Sequence, residues 1–500
     1  MLQVCSRFAL LCCFVAVTNS CTLAQRVDAP APSSAAITAS DLRRQVSTLA
    51  SDAMQGRATG SPEAMEAARY LAAEMKRMGV EPAGESGTYF QSVPIGTETT
   101  FLEIPKLACV ATDGAAPPSV AGVDFDLADG GCDLRALKIV YAASPAEIPR
   151  APDAGAALVL LTDVAKERVE WLKTAGIPDA AGWGLLVALG AKTPGAKPIE
   201  HPPRPRLRKP VSTPRISVRG ELRQAFVDRK VASLQYAAPV RTAEPEAVNV
   251  VGKITGVGTA ADKGLAAEVI EFSAHYDHLP PRANVPDGQD PIFNGADDDA
   301  SGCAVVLELA EAFAHEAKPA RTLLFFFATG EEIGLVGSEY TLDHPIVPLE
   351  KIVLDLNFEM LGRPDPLVAL PARMWLTGFE RSDLGPELQR LGVPVVADMR
   401  PDQGFFQRSD NYSLAKRGIV AQTLSSFGLH TDYHQVSDSA DKLDYEHMEA
   451  CALGALNGSR GIASGSYRPR WHEGLDPSKP PKAKPDASGE KGDKPKSGGN

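Results

Sequence analysis

Residues 271–279 read EFSAHYDHL, residues 293–302 read FNGADDDASG and residues 321–338 read RTLLFFFATGEEIGLVGS; these runs decide the fold. Each joins an apolar segment to acidic or imidazole side chains at its end. In an open α/β sheet, ligand and catalytic groups collect where strands end, because a loop there splays polar side chains over a rigid apolar floor. The groups so placed are His275, Asp277, Asp298, Glu331 and Glu332. They have the chemistry of a metal site with a base beside it.

Outward from that centre, Glu268 to Ala274 is a run suited to burial on both faces, and Thr322 to Ala328 is apolar enough for a central, parallel strand. Between them Ala300 to Glu316 reads as a helix, with Cys303, Val306, Leu307, Ala310 and Phe313 on one face. Strand, helix, strand implies a right-handed crossover. Ile352, Leu354, Leu356 and Phe358 alternate on a further strand that ends at Glu359, and Gly418 to Leu424 supplies another before His430 and His434.

His275 and Asp277 project from the same side of an extended segment, which places the aspartate to hydrogen-bond the imidazole and fix the nitrogen that faces a metal. Asp297, Asp298 and Asp299 crowd three carboxylates at a helix start; a helix dipole favours one or two anions there, and three invite a cation. Glu331 and Glu332 follow a fully apolar strand, where adjacent carboxylates are costly unless one binds metal and the other takes a proton. Two histidines with several carboxylates suit zinc, and a carboxylate bridging two ions makes a two-metal hydrolase. Singly these signals are weak, since an acidic triplet is usually a solvated turn and a Glu pair usually surface. Their joint placement at strand ends carries the reading. His278, His315, His344 and His447 lack such settings and read as structural.

The chain has 500 residues, 44% apolar and 23% charged, which predicts two folded units with flexible ends. A formal net charge of -12 argues against a nucleic-acid partner. Residues 1–24 read as a secretory signal: Arg7, a short apolar run from Phe8 to Val17, then small residues, with Thr22-Leu23-Ala24 suiting cleavage before Gln25. The run is too short to span a bilayer, so no transmembrane span is expected after its removal, and the protein is expected to be exported, periplasmic or extracellular. A competing reading makes Cys21 a lipid-attachment cysteine, although the usual aliphatic residue three positions earlier is missing.

Residues 25–36 are a linker, and residues 37–100 carry two helices, the second opened by Ser61-Pro62-Glu63 and ended by Gly79. Residues 101–245 read as a compact β-rich insert of short strands and turns, and residues 246–465 as the main unit. From 466 to 500 the Pro, Lys, Gly and Ser content predicts disorder. Cys109 and Cys132 are the expected disulfide pair, being close in sequence, and Cys303 reads as a small buried hydrophobe.

The stretches AHYDH (274–278), NGADDDASG (294–302), ATGEEIGLVGS (328–338), NFEMLGR (357–363), RSDNY (408–412) and DYHQVSDSADKLD (432–444) together resemble, in order, the zinc aminopeptidases of metallopeptidase family 28. These are relatives of bacterial leucine aminopeptidase and glutamate carboxypeptidase. Residues 49–82 are similar to that family's opening helices, and the insert is similar to the protease-associated domain many members carry. The resemblance implies an α/β fold, a three-layer α/β/α sandwich with a mixed, mostly parallel central sheet, and a β-rich protease-associated insert.

It further implies two zinc ions held by His275, Asp298, Glu332, Glu359 and His434. Asp298 would bridge them, with a cis peptide to Asp299. Asp277 would orient His275, Glu331 would be the general base, and Tyr433 would help hold the oxyanion. Glu359 stands where the family commonly has aspartate, and its extra methylene predicts a weaker ion on that side. The implied function is removal of N-terminal residues from peptides. A glutaminyl cyclase, a carboxypeptidase-type member and a non-catalytic receptor-like scaffold remain as alternatives, the last disfavoured because every ligand position is filled.

Overall fold

The computed structural model describes residues 36–479, apart from 114–116, 130–131, 178–179, 196, 200–205, 209–212, 283–284 and 287. The expected secretory signal and lipid-attachment Cys21 lie outside the described residues.

The chain enters through two helices. The first, α1 (Ala39–Leu49), is capped by Thr38, whose hydroxyl accepts from Asp41 N at 3.1 Å, and it buries Leu42, Val46 and Leu49. In α2 (Pro62–Met78), Ser61 caps Ala64 N at 3.0 Å, proline occupies the first turn, and Gly79 at φ 80° ends the helix in the left-handed region.

The main sheet is built on β1 (Val248–Ile254), β2 (Val269–His275), β3 (Thr322–Ala328), β4 (Ile352–Phe358) and β5 (Ala421–Ser425). Among the described residues it has nine strands, and the order across its centre is β1, β3, β2, β4, β5. The contacts β3 to β2, β2 to β4 and β4 to β5 are parallel, whereas β1 joins β3 antiparallel. The sheet is therefore mixed with a parallel centre, as the apolar runs predict.

Alternate strand residues go to opposite faces and bury on both. Ile270 and Phe272 of β2 and Leu323, Phe325 and Phe327 of β3 pack with α1, α2, α3 (Gly302–Ala314) and α4 (Tyr445–Ala463). Val269, Leu324 and Phe326 face the other side, where Leu342 and Leu414 from two short helices cover them. Helices on both faces make three layers. The parallel centre places the C-terminal ends of β2 to β5 along one edge.

Among the described residues, the insert holds a second, seven-stranded sheet between Lys106–Ala111 and Val231–Ala238, with cores around Phe125, Leu158 and Leu234. The α-helices Ala165–Thr174 and Gly220–Val227 and parallel strand pairs at its centre also belong to it. The expected Cys109–Cys132 disulfide is not formed, and Cys109 is a buried free thiol. Sheet geometry explains the miss. Cys109 lies opposite Leu234 and Cys132 opposite Ala238, on strands that flank Val231–Ala238 from its two sides. Two strand spacings of about 4.8 Å plus a four-residue offset exceed the reach of a disulfide.

The expected disorder from residue 466 also needs correction. Residues 466–479 are described, and Trp471 donates from Nε1 to Gly418 O at 3.0 Å while its ring meets Phe406 edge-on. Tyr467 donates its hydroxyl proton to Asp383 at 2.5 Å. Two aromatic anchors outweigh a polar composition. Residues 480–500 lie outside the described part.

Candidate metal centre

The loops that leave β2, β3, β4 and β5 supply the polar groups of one cleft. β2 ends at His275, Glu331 and Glu332 follow β3 after Thr329-Gly330, Glu359 follows β4, and His434 lies in the loop after β5. Asp298 enters from the turn before α3, where the Asp298–Asp299 peptide is cis.

The acidic triplet divides into separate roles. Asp297 Oδ1 accepts from Gly362 N at 2.7 Å, and its Oδ2 lies 2.8 Å from His430 Nε2. Asp299 Oδ1 accepts from Gly302 N at 3.0 Å and Met360 N at 3.1 Å, and its Oδ2 accepts from His275 N at 3.3 Å. These two carboxylates tie β2, α3 and the end of β4 together. Asp298 faces the cleft instead: Oδ1 lies 3.3 Å from His275 Nε2, and Oδ2 lies 3.1 Å from His434 Nε2.

Backbone identity matters here. A Cβ on Gly302 would sit 2.2 Å from Phe358 O and 2.5 Å from Asp299 Oδ1, so only glycine lets α3 approach the end of β4.

His275 Nδ1 lies 3.1 Å from the main-chain oxygen of Asp277 and 3.9 Å from its carboxylate. The sequence expectation that the Asp277 side chain orients the ring thus meets a different arrangement, in which the carbonyl takes the nearer place. The carboxylate instead accepts from Thr59 Oγ1 at 2.6 Å and Glu331 N at 3.2 Å, tying the α2 approach to the Glu331 loop. The strand ends at His275, and beyond it the Asp277 carboxylate is drawn to Thr59 and the Glu331 amide, which is why same-side projection fails as a guide.

A proton on Nδ1 shared with that carbonyl leaves Nε2 as a bare lone pair. His275 Nε2 is buried and has no hydrogen-bond partner among the described residues. A buried, unpartnered imidazole nitrogen 3.3 Å from a carboxylate fits a cation between them, and the histidine and carboxylate donor set fits zinc.

Glu332 and His434 approach at 3.3 Å, and both reach Asp298. A residue read as structural joins them: His278 Nδ1 lies 2.7 Å from Glu332 Oε1, and His278, Asp298, Glu332 and His434 bring their donor atoms within 4.8 Å of one another. The signal for it was present in the AHYDH run, three residues after His275. Period-two reasoning sends residue 278 to the opposite side, but the strand has already ended.

Charge is tightly coupled in this cleft. Burial opposes ionisation of Asp298, yet His275 and His434 hold its carboxyl well below the usual range. Burial likewise disfavours charged His434, but Asp298 and Glu332 raise it to about 10. Burial pushes Glu331 well above the usual carboxyl range against the pull of His275, and Glu359 adds to the rise. Glu359 itself is raised by burial to about 7.

The cleft encloses about 480 Å3 of empty space, open solvent included, and is lined by Asp298, Glu331, Glu359, Tyr433 and His434 together with the apolar Met360, Trp375, Phe405 and Phe427, with Arg408 among the remaining residues. Tyr433 stacks on His434 with ring centroids 3.9 Å apart. Behind the site Arg57, fully buried, donates Nε to Tyr276 O at 2.8 Å, Nη1 to Leu49 O and Asn294 O at 2.6 Å each, and Nη2 to Gly295 O at 3.0 Å. In the sequence Arg57 stands in no motif that marks it out. It fixes the two segments that present His275 and Asp298.

Residues 249–458 match the family model described as Peptidase family M28. A vacuolar membrane protease of Clavispora lusitaniae is 34% identical over 218 residues, covering 42% of this chain and 18% of that protein. A probable lipoprotein aminopeptidase, LpqL, of Mycobacterium tuberculosis is 36% identical over 104 residues, covering 21% of this chain and 19% of that protein. The chain thus spans less than a fifth of the length of either curated relative. Among solved structures, a zinc aminopeptidase from Bacillus subtilis aligns with TM-score 0.46 at 16% identity, over 87% of this chain and 98% of that one.

Proposed function

We propose that the chain is a metal-dependent aminopeptidase with two zinc ions, a reading that starts from the match of residues 249–458 to the Peptidase family M28 model. The observation that carries the reading is Asp298. Its two oxygens face different histidines, Oδ1 towards His275 at 3.3 Å and Oδ2 towards His434 at 3.1 Å, as a carboxylate shared by two cations does. His275, Asp298 and Glu359 would hold one ion, and Asp298, Glu332 and His434 the other. Bound zinc supplies Lewis acidity, polarising the scissile carbonyl and lowering the pKa of water.

The residues of the chain do the rest. Trp375, Phe405, Phe427 and Met360 give the cleft an apolar wall against which the N-terminal side chain of a peptide packs and excludes water. Glu331 lines the same cleft, and its raised proton affinity suits it to accept a proton from the attacking water and return it to the departing amine. Asp277 holds Glu331 in place through the Glu331 amide. Tyr433, stacked on His434 in the cleft, is the side chain available to a developing oxyanion. The insert is read as a protease-associated domain and the protein as exported. Among the described residues no helix is long and apolar enough to cross a membrane.

Release of p-nitroaniline from a panel of aminoacyl p-nitroanilides tests this reading, before and after chelation and with zinc restored. Cleavage that chelation abolishes and zinc restores is expected, strongest for large apolar residues. No cleavage by protein carrying two zinc ions would refute the aminopeptidase assignment.

A further inference from the structure

His278 is the one member of the acidic and imidazole cluster that the proposed function leaves without a task. It is 1% exposed, and its position is enforced from behind. Its amide donates to Arg57 O at 3.3 Å, residue 278 bridges Ala58, and Gly295, at φ 58°, leaves the ring space that a Cβ would take at 2.6 Å. The ring cannot swing out to solvent. Its Nδ1 edge faces two carboxylates, Glu332 Oε1 at 2.7 Å and Asp298 Oδ2 at 3.9 Å, and its face meets His434 edge-on at 5.6 Å between centroids.

We propose that His278 Nδ1 is a fourth protein donor to the cation held by Asp298, Glu332 and His434. The inference rests on reading this cluster as a metal centre. Donors about 2.0–2.1 Å from a tetrahedral zinc stand about 3.3 Å from one another. Four pairs in the cluster measure 2.7, 3.9, 3.1 and 3.3 Å, scattered about that edge, and no pair exceeds 4.8 Å. The alternative is a simple hydrogen bond from His278 to Glu332. Either arrangement leaves His278 Nε2 buried and unpartnered among the described residues, so that atom does not choose between them. The approach to Asp298 and the facing His434 do: a mere hydrogen bond to Glu332 requires neither.

A consequence follows for the reaction. Four protein donors close a tetrahedral site, and closed zinc sites are structural, whereas catalytic ones keep a position open. The open position then belongs to the side of His275, Asp298 and Glu359, where the cleft reaches Glu331 and Glu359 and where His278 takes no part in the lining. The two ions would differ in kind: one fixes Asp298 and Glu332, the other meets solvent and substrate.

His278→Cys and His278→Asn in the full chain, loaded with cobalt(II), test this. A thiolate sits close to the place of Nδ1, so a ligand position in H278C gives a sulfur-to-cobalt charge-transfer band absent from the wild type. H278N keeps an N–H donor for Glu332 but a poor ligand. It is expected to lose one of its two ions to a chelator at least tenfold more readily than the wild type, and to keep the other. H278C with two cobalt ions and no such band overturns the proposal, as does H278N holding both ions like the wild type. Circular dichroism of both variants checks that they fold. Should H278C misfold, H278N decides alone. A wild-type protein that binds no metal refutes the metal-centre reading itself, which separates that failure from the failure of His278 as a ligand.

Discussion

Arg57→Lys should destabilise the protein far more than its conservative chemistry suggests. The guanidinium serves four main-chain carbonyls from three nitrogens, Tyr276 O from Nε, Leu49 O and Asn294 O from Nη1, and Gly295 O from Nη2. A lysine has three donors on one atom and cannot span that spread. Taking two carbonyls as orphaned, at about 1–3 kcal/mol each, the loss is about 2–6 kcal/mol. That is a large part of the roughly 5–15 kcal/mol a folded domain possesses. Burial already lowers the proton affinity of Arg57, which stays charged because its intrinsic value is so high. A buried lysine would release its proton more readily, so the loss should grow with pH. Urea unfolding of wild type and R57K, followed by tryptophan fluorescence at pH 6 and pH 9, measures it. A difference below about 0.5 kcal/mol at both pH values would refute the argument that these four bonds hold the site from behind.

Glu331→Gln is expected to lower turnover by about 10²–10⁴-fold while metal content stays unchanged, and full activity with metal bound would remove Glu331 as the base. Glu359→Ala should reduce bound zinc from two ions to one by elemental analysis; retention of both would place the second ion elsewhere. Gly302→Ala forces a Cβ to within 2.2 Å of Phe358 O, so a loss of about 1–3 kcal/mol is expected in unfolding measurements, and wild-type stability would contradict the close approach. Burial raises Asp355 to about 7 and Glu308 to about 8. A carboxyl that binds its proton more tightly folded than unfolded contributes stability fully present below the ordinary carboxyl range and lost as pH climbs through the folded value. Stability should therefore fall between about pH 5 and pH 8, by up to about 1.4 kcal/mol per pH unit for each such group, with D355N flattening the slope; a rise over that interval would contradict it.

The central strands and the cleft were legible because the information is local. Apolar runs such as TLLFFFA fix buried parallel strands, and polar groups placed immediately after them gather at one sheet edge. What stayed hidden needs three-dimensional neighbours. His278 joins the cluster through a segment pinned to Arg57, which stands 221 residues earlier in the chain (278 − 57), and only contacts between distant segments reveal it. Cys109 and Cys132 are close in sequence but lie on opposite sides of a shared neighbour strand. Residues 466–479 have the composition of a tail, yet Tyr467 and Trp471 anchor them on distant loops.

The way the insert leaves the main chain has a consequence of another kind. Thr97–Phe101 and Val240–Ala243 run antiparallel as a ladder, Leu102 N donates to Pro239 O at 2.9 Å, and Val93 N donates to Ala247 O at 2.9 Å. The outgoing and returning strands are zipped together at the boundary, so to the main sheet the whole insert is topologically a hairpin tip. Closing the chain there costs little entropy whatever hangs beyond it. Such a junction tolerates replacement of its cargo: the insert is a cassette, free to be lengthened, exchanged or lost over evolutionary time while the strands that carry the metal cluster keep their register.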